Sequence, residues 1–282
     1  MDDDFYSSTL SWLLARRTLT RDMRILVVCG SHPDKEVLSG LGFRDVMISN
    51  LDVRLKGDEF APFAWSHQDA EHLTFRDGTF DFAIVHNGLH HCYSPHRALL
   101  EMYRVSKQGL VVFEPRDTLF VRLGVRLNFG QDYEVAAVVD NQPAFGGVKN
   151  TFIPNYVYRW TEREVEKTIS SFAPWGRHRF LYRYALRVPW ARLKRMKNRL
   201  FYSLIRLLLP LLRLLFRLFP RQANGFAFVV VKSRVPEDLH PWLRVNDDGL
   251  VLNEDWVRSR YCVPKSPGQN WLRRAGATAA LV

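Results

Sequence analysis

The sequence predicts an α/β fold built on a largely parallel sheet. Three observations carry that expectation. Short apolar runs recur through the first 120 residues, amphipathic stretches separate them, and several of the runs end in polar segments.

The elements follow in order. "SSTLSWLLARR" (7–17) reads as an amphipathic helix, and "MRILVVCG" (23–30) as a buried strand ending in a turn. "DKEVLSGLGF" (34–43) is a helix with a glycine stop, and "DVMISNLD" (45–52) is a strand followed by a polar stretch to Gln68. Phe80 to Val85 is a short apolar run behind a Gly78 turn, hence a strand. Ser94-Pro95 then supplies an N-cap and a favoured first residue for the helix "HRALLEMYRVS". "GLVVFEPRD" (109–117) is another buried strand with a polar end. "WTEREVEKTISSF" (160–172) opens with a capping box, Thr161 to Glu164, and "RFLYRYALRV" and "GFAFVVVKS" close the set as strands.

At 282 residues, 47% hydrophobic and 24% charged, the composition is that of a globular protein. Cys29, Cys92 and Cys262 form neither a disulfide framework nor a metal-ligand spacing, which favours a reducing compartment. "MDDDFYSS" lacks the basic and apolar regions of a signal peptide, so a cytoplasmic location is expected. Charge is unevenly spread. Residues 1–150 carry 16 basic and 20 acidic side chains, whereas residues 151–282 carry 24 basic and 9 acidic. The second half therefore seeks something anionic.

In a parallel sheet, right-handed crossovers bring the carboxyl ends of the strands to one edge, where ligands bind. "CGSHPD", "SNLD", "QDAE", "HNGLHH" and "EPRD" all gather there. Asp52 and Asp69 are acceptors able to take two donors each, suited to a ribose diol and an adenine amino group.

Residues 68–115, "QDAEHLTFRDGTFDFAIVHNGLHHCYSPHRALLEMYRVSKQGLVVFEP", resemble the class I S-adenosylmethionine-dependent methyltransferases of the type 11 group. The resemblance rests on the aspartate-alanine pair, "FD" opening a strand, the "LHH" loop, and Glu101, Arg104, Val105, Lys107 and Gly109 of an E-x-x-R-V-x-K-x-G ending. A weaker likeness runs from about residue 24 to 232. It implies a Rossmann-like three-layer sandwich whose seven-stranded sheet is mostly parallel with the last strand antiparallel. It also implies S-adenosyl-L-methionine as cofactor. Asp69 would accept from the adenine amino group, with Ala70 giving backbone contact. The ribose falls to Asp52, with Asn50 as second choice, and Asn87 sits near the methionine half. The chain departs from the family's first glycine-rich loop, keeping only Cys29-Gly30 before Ser31, His32 and Pro33.

Methyl transfer is a displacement on an activated methyl, for which alignment and water exclusion matter most. A hydroxyl acceptor also wants a base. His91 is the first choice, His90 the second and Glu114 the third. The cluster His86, His90, His91, Cys92 and His96 matches no standard zinc spacing, so no metal is expected. The long segment from Phe120 to Trp160 reads as a lid, with Asn155, Tyr156, Tyr158 and Arg159 as candidate acceptor-site residues.

Residues 192–219, "RLKRMKNRLFYSLIRLLLPLLRLLFRLF", are basic and apolar. On a helix, Arg192, Arg195, Arg199, Arg206, Arg213 and Arg217 fall within about 60° of arc. A narrow cationic stripe beside a wide apolar face suits a bilayer interface, with Pro210 kinking or splitting the helix. Spanning is disfavoured by the arginines, nucleic acid by the lack of polar base-reading side chains, and a homodimer interface is the competing use of the face.

The expected organisation is an N-terminal helix (1–23), a methyltransferase domain (24–189 and 222–234), the basic insert (190–221) and an irregular tail (235–282). The expected protein is a cytoplasmic enzyme on the inner membrane face, acting on a small or lipid-linked acceptor. A non-catalytic scaffold that keeps the cofactor fold is the alternative.

Overall fold

The computed structural model describes residues 3–127, 129–188, 190, 199–247 and 249–261. Seven strands form one sheet: β1 (Ile25–Val28), β2 (Val46–Asn50), β3 (Ala64–His67), β4 (Phe80–His86), β5 (Ser106–Pro115), β6 (Arg179–Ala185) and β7 (Gly225–Val231). Their order is β3-β2-β1-β4-β5-β7-β6. Pairings from β3 through β5 are parallel, and β7 lies antiparallel between β5 and β6, as expected. The sequence reading passed over β3 as part of a polar stretch. It is a four-residue edge strand with no fully buried side chain, so it carries no period-2 pattern.

Helices cover both faces. On one side α3 (Pro95–Val105) and α6 (Glu162–Phe172) place Leu99, Met102, Val165 and Ile169 against the sheet. Ser94 caps α3 through the Arg97 N–H at 3.2 Å, as its type predicts. On the other side lie α1 (Asp3–Ala15) and α2 (His32–Gly40). The helix α1 is not a separate unit as expected. Tyr6, Leu10 and Leu13 recur at helical spacing and are fully buried, and the Tyr6 ring stacks on His86 at 4.5 Å.

The capping box of α6 is half formed. Thr161 accepts from the Glu164 N–H at 3.3 Å, while the Glu164 carboxylate turns away to the Tyr158 hydroxyl. The E-x-x-R signature on α3 is a clamp. Arg104 donates to the Leu73 and Phe75 carbonyls and to Asp77, and Glu101 accepts from the Leu73 N–H, fixing the loop that delivers β4.

The long segment after β5 contains α4 (Leu119–Arg126) and α5 (Val135–Asp140). Between β6 and β7 comes α7 (Arg199–Leu218), one helix through Pro210 rather than two. A proline removes a single ladder bond, which a solvent-facing helix tolerates. Arg192 and Arg195 lie outside the described residues. Among the described residues no helix is long and apolar enough to cross a membrane. Of the expected irregular tail, residues 248 and 262–282 lie outside the described residues. A hairpin, β8 (Leu243–Asn246) and β9 (Gly249–Leu252), leads into α8 (Glu254–Arg260), capped by Asn253. Four-residue strands of mixed polarity give no periodicity to read.

Candidate active site

The strand order reverses between β1 and β4, and such a switch point opens a crevice at the carboxyl ends. Cys29 after β1 and Asn87 after β4 both take a left-handed backbone, φ 54°. The two turns press together, since a Cβ on Gly88 would stand 2.4 Å from the Cys29 Cβ. Only glycine fits there. The crevice is a cavity of about 380 Å³, within the ordinary size of small-molecule pockets. Cys29, Asn50, Asp52, Asp69, Ala70 and Asn87 all line it. Gly30 does not reach it. Its Cα packs toward Ile48 and Val27, where a Cβ would stand 2.7 Å from the Ile48 Cγ2.

Both predicted carboxylate acceptors have partners. Asp52 takes the Arg54 guanidinium on both oxygens, and that bond is the main cause holding its pKa below the usual carboxylate range. Asp69 receives Lys149 Nζ at 2.6 Å, and the same ammonium lies 3.1 Å from Glu71. Burial alone would raise Asp69, but Lys149 holds it low. Asn50 is a brace rather than a spare acceptor: its Nδ2 donates to the Gly30 carbonyl and its Oδ1 accepts from the Asp52 N–H, each at 2.9 Å. Asn87 Oδ1 accepts from Arg187 at 2.9 Å.

The three predicted bases are not equivalent. Glu114 is fully buried, accepting from the Leu89 N–H at 2.8 Å and facing His90 Nδ1 at 2.5 Å. Burial opposes charge on His90, yet Glu114 and Glu134 push its pKa up to about 10. His90 Nδ1 and Glu114 are engaged with each other, Glu114 also accepts from the Leu89 N–H, and neither residue is among those lining the cavity. His91 does line the cavity, and burial, with the His90 charge beside it, lowers its pKa.

Of the other histidines, His86 also lines the cavity. His86 stacks on Tyr6, and His96 pairs with Glu164 at 3.3 Å. Sequence reasoning missed two residues of the long segment that the fold brings in. Lys149 is one. The other is Glu134, whose Oε2 lies 3.4 Å from His90 Nε2 and 3.6 Å from His91 Nε2. Burial would raise the Glu134 pKa, but the His90 charge holds it down to about 2. No local motif marks either residue.

From that segment Ala137, Asn141, Gly146, Gly147, Lys149 and Asn150 line the cavity. Its acceptor candidates divide. Asn155 is buried and donates to Glu134 Oε2 at 3.3 Å. Tyr156, Tyr158 and Arg159 instead line a second hollow of about 720 Å³, together with Leu119 and Arg122 of α4.

The first cavity fits an adenosine-bearing cofactor: two carboxylates stand at the ends of β2 and β3, with a close backbone cradle between β1 and β4. Arg54 and Lys149 must yield or share those carboxylates for such a ligand to sit. Residues 35–113 match the family model described as a methyltransferase domain. Among solved structures the chain is similar to magnesium protoporphyrin IX methyltransferase of Synechocystis with bound SAH. Identity is 14%, covering 82% of this chain and 83% of that one, with TM-score 0.47. It is also similar to a SAM-dependent methyltransferase of Methanosarcina mazei, at 16% identity, 78% and 97% coverage and TM-score 0.46. No curated protein matches the chain.

Proposed function

We propose that this chain, whose residues 35–113 match the methyltransferase-domain family model, is an S-adenosylmethionine-dependent enzyme that methylates a lipid-linked acceptor at an anionic membrane surface. The bound cofactor supplies an activated methyl on a sulfonium. Asp69 and Ala70 hold the adenine, Asp52 the ribose, and the Asn87 turn the methionine half. His91 is the side chain that meets the acceptor. The lid residues around Lys149 exclude water, which strengthens alignment and electrostatics in the cavity.

One observation carries the membrane reading. The outer face of α7 exposes Leu207, Leu211, Leu214 and Leu218, at 76%, 62%, 54% and 65%. Arg206, Arg213 and Arg217 flank that face, also exposed. Scattered exposed leucines are ordinary, whereas a continuous apolar strip is not. The strip continues onto α4, where Leu119, Leu123 and Leu127 are exposed at 74%, 53% and 54%, and Phe120 meets Phe216 edge-on at 4.9 Å. The same helix α4 also lines the second hollow, together with Asp117 just beyond β5.

Vesicle sedimentation tests the reading. The chain is expected to pellet with vesicles containing anionic lipid and less with neutral ones, each basic residue contributing about 1 kcal/mol near such a surface. Replacing Arg206, Arg213 and Arg217 with glutamate abolishes that preference and leaves cofactor binding intact. Wild-type chain that stays in solution beside anionic vesicles refutes it. So does a dimer that these substitutions dissociate, which makes the strip a protein interface.

A further inference from the structure

Behind His91 the fold assembles a donor set that methyl transfer does not by itself require. His90 Nε2, His91 Nε2 and Glu134 Oε2 all lie within 4.8 Å of one another. Glu134 stands 3.4 Å from His90 and 3.6 Å from His91. Those gaps exceed the roughly 2.7–3.2 Å of a direct N–H···O bond. They match the edge of a coordination polyhedron. Bonds of about 2.0–2.1 Å at tetrahedral angles set neighbouring donors about 3.3–3.4 Å apart.

Two further features favour an ion. The buried Glu114 binds His90 through Nδ1, which leaves Nε2 facing the cluster, the usual outer support of a metal-ligating histidine. Asn155 Nδ2 sits 3.3 Å from the same Glu134 oxygen, while Asn155 Oδ1 is buried and has no partner among the described residues. Rotating that amide by half a turn exchanges the two atoms. The orphaned oxygen then faces the cluster as a fourth donor. The Glu134 N–H bond to the Asn155 carbonyl, 2.9 Å, keeps the two segments together.

We propose that His90, His91 and Glu134, with Asn155 turned inward, hold one divalent transition cation such as Zn²⁺ or Mn²⁺ beside the cavity, with His91 as the ligand that also lines it. Two imidazoles with oxygen donors suit this class of ion better than Mg²⁺ or Ca²⁺. Its chemical role rests on the methyltransferase reading. An acceptor hydroxyl joins the ion and loses its proton to solvent, as metal-bound water does at neutral pH. The oxygen lone pair then forms the C–O bond as the S–C bond breaks, and the sulfonium leaves as a thioether. The cation changes no oxidation state. His91 serves as a ligand, and the acceptor is an oxygen nucleophile.

The test uses the full chain stripped with EDTA and desalted, then titrated calorimetrically with Mn²⁺ and, separately, Zn²⁺. One ion per chain is expected, bound at least tenfold more weakly in Glu134→Gln and in His91→Ala. Should either variant unfold, Mn²⁺-induced broadening of the His90 and His91 imidazole signals in the wild type answers the same question. S-adenosylhomocysteine is titrated into the stripped chain in parallel. A chain that binds S-adenosylhomocysteine but takes up neither Mn²⁺ nor Zn²⁺ overturns the metal site and spares the methyltransferase reading. Failure to bind it overturns the cofactor site itself. Ion binding unchanged in both variants places the metal elsewhere and also refutes the proposal.

Discussion

Lys149→Met is the most informative single perturbation of the cofactor cavity. Lys149 reaches from the long segment to Asp69 at 2.6 Å and Glu71 at 3.1 Å, with 21% of the Lys149 side chain and 25% of the Asp69 side chain exposed. Pairs so placed lie between surface bridges, worth about 0.2–1 kcal/mol, and fully buried ones, which cost several to break. About 1 kcal/mol is a fair figure for the bond that must loosen before Asp69 can accept from an adenine. Removing the ammonium removes that competition, so S-adenosylhomocysteine should bind about fivefold more tightly. The free protein loses the same contact, so its melting temperature should fall by about 2–3 °C. Glu71 stays satisfied, because it also accepts from the Tyr93 and Ser94 N–H groups at 3.1 and 2.9 Å. Calorimetry and thermal melting on one preparation therefore move in opposite directions. Weaker cofactor binding in the variant refutes the competition and makes Lys149 part of the binding site.

Asp69→Ala and Asp52→Ala should each weaken S-adenosylhomocysteine by about 1.5–3 kcal/mol, the worth of a charge-assisted hydrogen bond, as read by calorimetry. Intact folding with unchanged affinity in both moves the site elsewhere. Burial pushes the Asp34 carboxyl up to about 6 from 3.8, so the folded state holds this proton more firmly than the unfolded chain. The stability it contributes is complete below about pH 4 and is lost as pH rises to 6, roughly 3 kcal/mol in all. Urea unfolding should show that fall in wild type and not in Asp34→Asn; parallel curves contradict it.

The parts legible in the sequence were those whose physics is local. Ile25–Val28, Phe80–His86 and Gly225–Val231 are almost entirely buried strands, and continuous burial writes itself as an apolar run. Ser94-Pro95 and Thr161 cap helices by chemistry visible within three residues. The strand Ala64–His67 and the hairpin at 243–252 are short and half polar, so their pairing is decided by neighbours in space. At the cavity, Asp52, Asn87 and His91 each follow a strand that could be placed, whereas Asp69 follows the strand that was passed over and was legible only through the aspartate-alanine pair. Glu134 and Lys149 were not legible. They come from a segment with no period, and only the folded chain sets them beside His91 and Asp69. Sequence adjacency also says nothing of which imidazole faces Glu114, as His90 does, and which lines the cavity, as His91 does.

The connection that carries α7 has a consequence for how such a chain can diversify. It leaves the sheet at Ala185 and returns at Gly225, two residues that face each other across one strand pair. Just beyond them Asn224 exchanges two hydrogen bonds with the Arg187 backbone, at 2.8 and 2.7 Å, and so closes the neck of the excursion. The strand register is thus independent of what lies between. Doubling the length of a closed loop costs only about 0.6 kcal/mol. Because Gly225 also pairs with Pro115 at the carboxyl end of β5, that neck opens on the same edge as the cofactor cavity, and Arg187 beside it donates to Asn87 in the cavity wall: whatever is spliced between positions 187 and 224 is delivered next to the chemistry.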